Sequence, residues 1–466
     1  MLDKESSVYS DRLFFQWPVN LASTGCICSR ELGSEQIVQD GWSIGYLNLT
    51  RSHVQTSRDV SQVVECVDAS LAGKVFSWRP TDLRPPLRTS LTRFTMMPTL
   101  FTPIQVGHMR VSHRIVLAPL TRVRAYPTHT PGPHAATYYA QRASLPGTFL
   151  ISEATFVSQA AGGRDFVPGI YTQEHVEGWK RVTDAVHEKG SFIFCQLWAP
   201  GRAAIPEALV KENNSPLVSA SSIPLSTRPT AVPHALTEPE IKSYIASFAT
   251  GARNAIAAGF DGVEIHGANG YLVDQFLQEV SNTREDGWGG SIEKRARFAI
   301  EVVDALVKEV GAEKVSIRLS PWSPFQDMGL PDPKPQFSYL VNELRKYDLA
   351  YLHVTEPRVG GTIDVNAPPQ SSNNFLREIW CKEGKNGVLI SAGGYTRQNA
   401  IETAQEHGDM IAFGRLYIPN PDLPARLIHD LPLAKPDRAT FYLAGDVTEK
   451  GYTDFPAADV QVEQKS

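Results

Sequence analysis

Three polar side chains of different chemistry lie within six residues of one another, at His266, Asn269 and Tyr271. The residues just before them, 262–265, alternate in hydropathy as a short strand does, and glycines then mark a turn. An imidazole and an amide can donate hydrogen bonds to a carbonyl oxygen, and a phenol can deliver a proton. These residue types indicate a site at a strand end that polarises a carbonyl group and delivers a proton.

Polar residues also end other short apolar runs. Thr121 follows the first run, Gln196 lies in the third and Arg318 in the fifth. An unpaired buried polar group costs about 1–3 kcal/mol, so each of these side chains needs a partner. Any one of them alone is explained by a structural hydrogen bond, but their recurrence at successive strand ends favours a binding site.

Glycines follow the last two runs, as Gly393-Gly394 and as Gly414-Arg415. Small residues let backbone N–H groups approach phosphate oxygens, and an arginine supplies a bidentate cation. Each pair alone is a weak signal because turns also use glycine. Together, in these positions, they predict a phosphorylated ligand.

A flavin would explain why polar groups point at this site. Arg318 would face the anionic N1–C2 region of a reduced isoalloxazine, Gln196 its pyrimidine edge and Thr121 the C4 carbonyl. No G-x-G-x-x-G sequence opens a dinucleotide-binding fold, so FMN fits better than FAD.

Eight short apolar runs could carry these residues as strands. They are 113–119, 147–154, 191–198, 262–266, 315–320, 351–356, 388–394 and 410–415. Helical periodicity or capping signals occur between them at 134–143, 173–188, 237–258, 292–310, 336–346 and 396–407. The alternation predicts an α/β fold, a (β/α)8 TIM barrel with chemistry at the carboxyl ends of its strands. A doubly wound open sheet is the alternative.

The chain divides into three parts by composition. Residues 98–456 form the predicted barrel, a single catalytic domain, and 457–466 a carboxyl-terminal tail. Residues 1–97 lack sustained periodicity and are expected to be a disordered or loosely docked N-terminal extension. A small folded domain and a wrongly assigned start are the alternatives there.

The overall composition argues against a nucleic-acid-binding protein, a membrane protein and a metalloprotein. The 466 residues are 42% hydrophobic and 20% charged, as in ordinary globular proteins, and a net charge of −5 gives no footprint for nucleic acid. No apolar run approaches the ~20 residues of a membrane helix, and no signal peptide is evident. The five cysteines form no metal-binding pattern. We therefore expect a cytoplasmic protein without a metal site.

Longer motifs resemble those of the Old Yellow Enzyme family of FMN-dependent ene-reductases, especially its fungal members. The matching segments are 118–125, 138–143, 196–202, 266–272, 281–291, 318–321, 413–415 and 420–423. The resemblance covers residues 100–456 and leaves 1–95 without a counterpart.

The resemblance implies a ping-pong reaction in which NADPH reduces FMN and an enone or enal is then reduced. It assigns the carbonyl oxygen to His266 and Asn269 and the proton to Tyr271. The implied FMN contacts are Pro119, Thr121, Ala154, Gln196, Arg318, Gly393, Gly394, Gly414 and Arg415. Trp198 and Tyr442 match residues that wall the substrate pocket, and the protein is expected to be a monomer or a homodimer.

Some positions depart from the family pattern. Ala154 replaces a frequent glycine, Gly394 replaces the asparagine of yeast members, and the loop 357–374 differs most and is expected to select the substrate. Two alternatives stay open: a specialised fungal enal reductase or isomerase like those of ergot alkaloid pathways, and a flavin-binding module without useful turnover. A phenylalanine in place of Tyr271 would have favoured isomerisation.

Overall fold

The computed structural model describes residues 97–382 and 387–458. These residues group as one compact unit. The predictions for the N-terminal extension, and most of the predicted tail, lie outside the described residues. None of the helices in the described ranges is long and apolar enough to span a membrane.

Eight parallel strands close into a barrel. They are Ile115–Leu117 (β1), Phe149–Ile151 (β2), Phe192–Trp198 (β3), Gly262–Gly267 (β4), Val315–Leu319 (β5), Tyr351–Thr355 (β6), Leu389–Ala392 (β7) and Met410–Phe413 (β8). Each strand pairs with the next in the chain, and β8 pairs with β1, so the sheet has no free edge. The TIM-barrel prediction is confirmed, and the open-sheet alternative is wrong.

A jacket of helices surrounds the barrel. The helices are Pro133–Arg142 (α1), Gln173–His187 (α2), Glu238–Ala257 (α3), Ile292–Val310 (α4), Lys334–Leu344 (α5), Asn374–Trp380 (α6), Arg397–His407 (α7) and Leu423–His429 (α8). At the start of α3, Thr237 and Glu240 form the predicted capping box. The patterns did not predict α6 and α8, whose 7 residues each are too few for a helical period to stand out.

The strands alternate between two apolar layers. Ile317 and Leu319 of β5, for example, pack outward under the helices. Val116, Phe149 and Phe194 belong to a second cluster inside the barrel. Because side chains of a strand alternate between its faces, Arg318 belongs to the inward set.

An antiparallel hairpin closes the amino-terminal end of the barrel. Its strands, Ile104–Val106 and Met109–Val111, bury Val106, Met109 and Val111 against the inner apolar cluster. The predicted strand list did not include this hairpin, because three-residue strands show little periodicity. Solvent is thereby excluded from one end, and a cavity can open only at the other.

The connection after β3 is long and has secondary structure of its own. It holds a helix, Pro206–Asn213, and a pair of two-residue strands, Val218–Ser219 and His234–Ala235. His113, which lies just before β1, is 1% exposed and therefore buried.

Candidate active site

A cavity of about 610 Å³ lies at the carboxyl ends of the barrel strands. Its wall combines backbone that follows β1, β7 and β8 with side chains from β3, β4 and β5. Twelve of the residues predicted from the sequence line it: Pro119, Thr121, Gln196, His266, Asn269, Tyr271, Arg318, Gly393, Gly394, Gly414, Arg415 and Tyr442. One cavity therefore gathers both the carbonyl-polarising and the phosphate-binding candidates.

His266, Asn269 and Tyr271 form one corner of this cavity. The rings of His266 and Tyr271 lie edge to face, with centroids 4.7 Å apart. Asn269 has a φ of 57°, and its N–H donates to Oγ of Ser320 at 2.7 Å while its carbonyl accepts from Gln326 at 3.0 Å. These two bonds hold the Asn269 backbone in a left-handed conformation, and Asn269 and His266 line the same cavity.

Two polar atoms at this corner are left without partners. Nδ1 of His266 and Oδ1 of Asn269 are buried and form no hydrogen bond with any described residue. A buried polar group without a partner costs about 1–3 kcal/mol, and functional sites are where such groups persist. Both side chains are thus available to a ligand.

Protonation at the corner follows from burial. Burial, followed by the positive charge of Arg318, holds the pKa of His266 well below its usual value, so the imidazole is neutral. Burial raises the pKa of Tyr271, against a smaller opposing effect of the Arg164 charge. The phenol therefore keeps its proton at neutral pH, as a proton donor requires.

A buried carboxylate organises the floor of the cavity. Glu264 of β4 accepts hydrogen bonds from Nε2 of Gln196 at 2.8 Å, from the Tyr351 hydroxyl at 3.0 Å and from Nδ1 of His353 at 2.8 Å. Burial alone would raise the pKa of Glu264, but His353 and the Arg318 guanidinium hold it below its usual value. The carboxylate stays ionised, fixes the Gln196 side chain and balances the charge of Arg318.

Glu264 was missed by the sequence interpretation, although a signal was present. It lies two residues before His266, so the alternation of strand side chains places both on the inner face. Arg318 completes this floor, with its Nε buried and without a hydrogen-bond partner among the described residues. The floor thus presents a cation and an amide to the cavity.

The opposite end of the cavity combines glycines and arginines. Gly393 has a φ of 135° and Gly394 a φ of 61°, values that few other residues adopt. Arg415 forms an ion pair with Asp364, which belongs to a hairpin in the loop after β6. Nε of Arg358 donates to the Gly393 carbonyl at 2.7 Å. Exposed backbone and several cations make this end suited to a phosphate.

Two predicted residues do not line this cavity. Ala154 is 3% exposed and packs in an apolar cluster with Val123, Phe156 and Trp198, so its backbone contact to a cofactor stays a prediction. Trp198 lies behind Tyr271, with ring centroids 4.9 Å apart, and lines an adjoining cavity of about 170 Å³. Its ring stacks on Phe156 and does not line the cavity of about 610 Å³.

The sequence interpretation missed several lining residues. They include Arg164, Phe325, Arg438 and Phe441, whereas Val359 and Asp364 belong to the loop 357–374 that was expected to select the substrate. All lie in loops rather than at strand ends, and only the Gly-Gly-Arg sequence ending at Arg164 resembles the signals used for the phosphate end. Loop residues reach the cavity through tertiary contacts, which local patterns do not encode.

The residues fit a flavin mononucleotide. Unpartnered Arg318 and the tethered Gln196 offer a charged and a polar group to an isoalloxazine, while the glycines and Arg415 lie where a phosphate could bind. The fold and this site define a barrel oxidoreductase of the flavin-binding class. No cluster of three or more metal-ligating side chains occurs within 97–382 and 387–458.

Comparison with known proteins identifies the family. The model of the NADH:flavin oxidoreductase / NADH oxidase family matches residues 99–434. Chanoclavine-I aldehyde reductase fgaOx3 of Penicillium roqueforti is 51% identical over 364 residues, 77% of this chain and 96% of that protein. 12-Oxophytodienoate reductase 2 of Arabidopsis thaliana is 43% identical over 370 residues, 77% and 96% of the respective chains. The Old Yellow Enzyme of Pichia sp. superposes with a TM-score of 0.70 at 36% identity, covering 78% of this chain and 94% of that one.

The chain therefore belongs to the NADH:flavin oxidoreductase / NADH oxidase family and is a member of the Old Yellow Enzyme group within it. It is an FMN-dependent oxidoreductase. The family resemblance, the barrel and the flavin class predicted from the sequence are confirmed.

Proposed function

We propose that this protein is an ene-reductase that uses NADPH to reduce the C=C bond of α,β-unsaturated carbonyl compounds. The single observation that carries the proposal is the corner at His266, Asn269 and Tyr271. It joins two side chains whose buried polar atoms have no partner to a protonated phenol, and all three line one cavity. When bound and reduced, FMN supplies the hydride that goes to the β-carbon.

His266 and Asn269 hold the substrate carbonyl oxygen. A neutral imidazole offers one N–H and the amide offers another, so the oxygen receives two hydrogen bonds as it gains negative charge. Donors placed on a developing oxyanion are worth about 10²–10³ in rate each. The edge-to-face contact with Tyr271 keeps the imidazole plane fixed while this happens.

Tyr271 delivers the proton to the α-carbon. As hydride adds to the β-carbon, the electron pair of the broken π bond moves to the α-carbon. This pair forms the new C–H bond with the phenolic proton, and solvent then reprotonates the phenolate. Positioned acids contribute about 10²–10⁴ in rate. The raised pKa of Tyr271 keeps the proton in place until the α-carbon becomes basic.

Glu264, Gln196 and Arg318 act on the cofactor side. The hydrogen bond from Gln196 to Glu264 fixes the Gln196 amide, which leaves its carbonyl oxygen for a donor on the flavin ring. Arg318 would supply a positive charge to the flavin ring, which would favour its reduced, more negative form. Arg415 and the turn at Gly393-Gly394 would hold the phosphate.

A second candidate is a specialised enal reductase of a fungal biosynthetic pathway. The observation that favours it is the 51% identity to a protein named chanoclavine-I aldehyde reductase. Both candidate functions use FMN as the hydride donor and Tyr271 as the proton donor. They differ in the range of substrates accepted. A broad panel of enones and enals distinguishes them, because the specialised enzyme turns over few of its members.

The test uses the purified full-length chain loaded with FMN. We expect bound-flavin absorbance, oxidation of NADPH that depends on an enone, and a product saturated at the former C=C bond by mass spectrometry. The saturated ketone of the same skeleton is the control and should not support NADPH oxidation. A colourless protein that fails to bind added FMN contradicts the proposal.

A further inference from the structure

Arg164 lies where the two cavities meet. It lines both the large cavity and the adjoining one of about 170 Å³, as do Tyr271 and Phe325. The residue is half-buried and follows Gly162 and Gly163 in the loop after β2. A cation is thereby placed in the same wall as the proton donor.

The charge of Arg164 has no carboxylate to balance it within the described residues. Its guanidinium carbon lies 5.9 Å from the centroid of the Tyr442 ring. Asp165, the next residue, pairs instead with Lys211 at 2.9 Å. Among the lining residues of both cavities, the one acidic side chain is Asp364, and it pairs with Arg415. The wall beside Tyr271 is therefore positively charged.

A guanidinium in such a place prefers a planar anion. Its fixed fork of N–H groups matches a carboxylate, and charge-assisted hydrogen bonds are about twice as strong as neutral ones. The aromatic side chains of Phe325 and Tyr442 line the same space and reduce its contact with water. A distance of 5.9 Å from Tyr442 is at the outer limit of a cation–π contact, so that ring does not satisfy the arginine.

We propose that Arg164 is a specificity residue, and that the preferred substrate is an α,β-unsaturated carbonyl compound that also bears a carboxylate. The carboxylate pairs with Arg164 while the carbonyl oxygen binds His266 and Asn269. This inference rests on the proposed ene-reductase function. The phosphates of a nicotinamide cofactor offer the same anionic chemistry, so the test must separate the two sources.

The experiment measures binding to the FMN-loaded protein without reductant, so that no turnover occurs. The probes are a cyclohexenone carrying a carboxylate on the saturated part of its ring, and the methyl ester of the same compound. Calorimetry should give a dissociation constant roughly tenfold lower for the carboxylate than for the ester. Arg164→Gln should bring the ratio of the two constants close to one, and Arg164→Lys should restore part of it.

Lys211→Gln is the matched control. It removes one positive charge next to the same loop, but Lys211 is exposed, pairs with Asp165 and lines neither cavity. The carboxylate preference should survive in this variant. A general effect of net charge would instead lower it as much as Arg164→Gln does, and would overturn the assignment.

Stopped-flow reduction of the flavin by NADPH tests whether Arg164 binds the phosphates of the nicotinamide cofactor rather than a substrate carboxylate. If Arg164→Gln slows this step and leaves the carboxylate preference intact, Arg164 binds the nicotinamide cofactor and the inference is wrong. If wild-type protein reduces the ester but shows no carboxylate preference, only the inference fails. If it neither binds nor reduces either compound, the proposed function fails, and the inference with it.

Discussion

The guanidinium of Arg415 donates to the carboxylate of Asp364, and its Nη1 lies 3.0 Å from Oδ2. Asp364 comes from the hairpin formed by Val359–Gly360 and Ile363–Asp364. This loop-borne carboxylate thus holds the cation that we assign to the FMN phosphate. A bound phosphate and Asp364 compete for the same donors.

Asp364→Asn should therefore tighten FMN binding. Both members of the pair are partly exposed, with Asp364 66% and Arg415 34% accessible, so the gain should be modest, roughly two- to fivefold in the dissociation constant. Arg415→Gln should weaken binding by roughly tenfold or more, because a charge-assisted contact to phosphate is lost. Fluorescence titration of flavin-free protein measures both. Asp165→Asn, at an exposed pair outside the cavity, should change nothing, and tighter binding in Arg415→Gln would contradict the phosphate assignment.

Glu264→Gln should raise the reduction potential of bound FMN. Glu264 offsets the charge of Arg318, and without it a reduced, more negative flavin is favoured by an amount on the order of 30 mV. Tyr351→Phe is the control, since it removes one hydrogen bond to Glu264 but no charge. Equal potentials in wild type and Glu264→Gln would show that the carboxylate does not act on the cofactor.

His113 makes stability depend on pH. Nδ1 of His113 accepts the Ile115 N–H at 3.2 Å, and Nε2 contacts Oγ1 of Thr148 at 3.0 Å. Burial lowers its pKa from 6.5 to about 4, so the unfolded chain binds the proton more readily than the folded one. The stabilisation is present above pH 6.5 and should be lost as pH falls toward 4, by about 3 kcal/mol in all.

Urea unfolding at the two ends of that pH range, with FMN in constant excess, measures this effect. His113→Gln should be less stable than wild type near neutral pH, and the difference should shrink toward the acid end. A difference that stays constant with pH would mean that His113 does not titrate between the folded and unfolded states.

The barrel could be predicted because its signals are local. Each strand is a short apolar run bounded by turn residues, and β4 and β5 needed no tertiary information to be found. The carboxyl-end rule then placed His266 and Arg318 at one site. Weak periodicity hid the hairpin at 104–111 and the short helix α6, which are stabilised by packing against the barrel.

From strand patterns alone, the candidate site was predictable only where strand ends supply it. Arg164 and Asp364 reach the cavity from loops, so their positions depend on contacts far apart in the chain. Glu264 could have been found, because a charged residue on the inner face of a strand implies partners such as Gln196 and His353. Trp198 lies two residues after Gln196, so strand alternation predicts that both side chains point to the same face. Its ring instead stacks on Phe156.

The central claim is that Tyr271 donates the proton in the reduction of a C=C bond, and Tyr271→Phe tests it most directly. Stopped-flow spectroscopy should show flavin reduction by NADPH within about twofold of wild type, because that half-reaction needs no acid. Reoxidation by an enone should slow by about 10²-fold or more. Equal loss in both half-reactions, or an unchanged rate of reoxidation, would contradict this role.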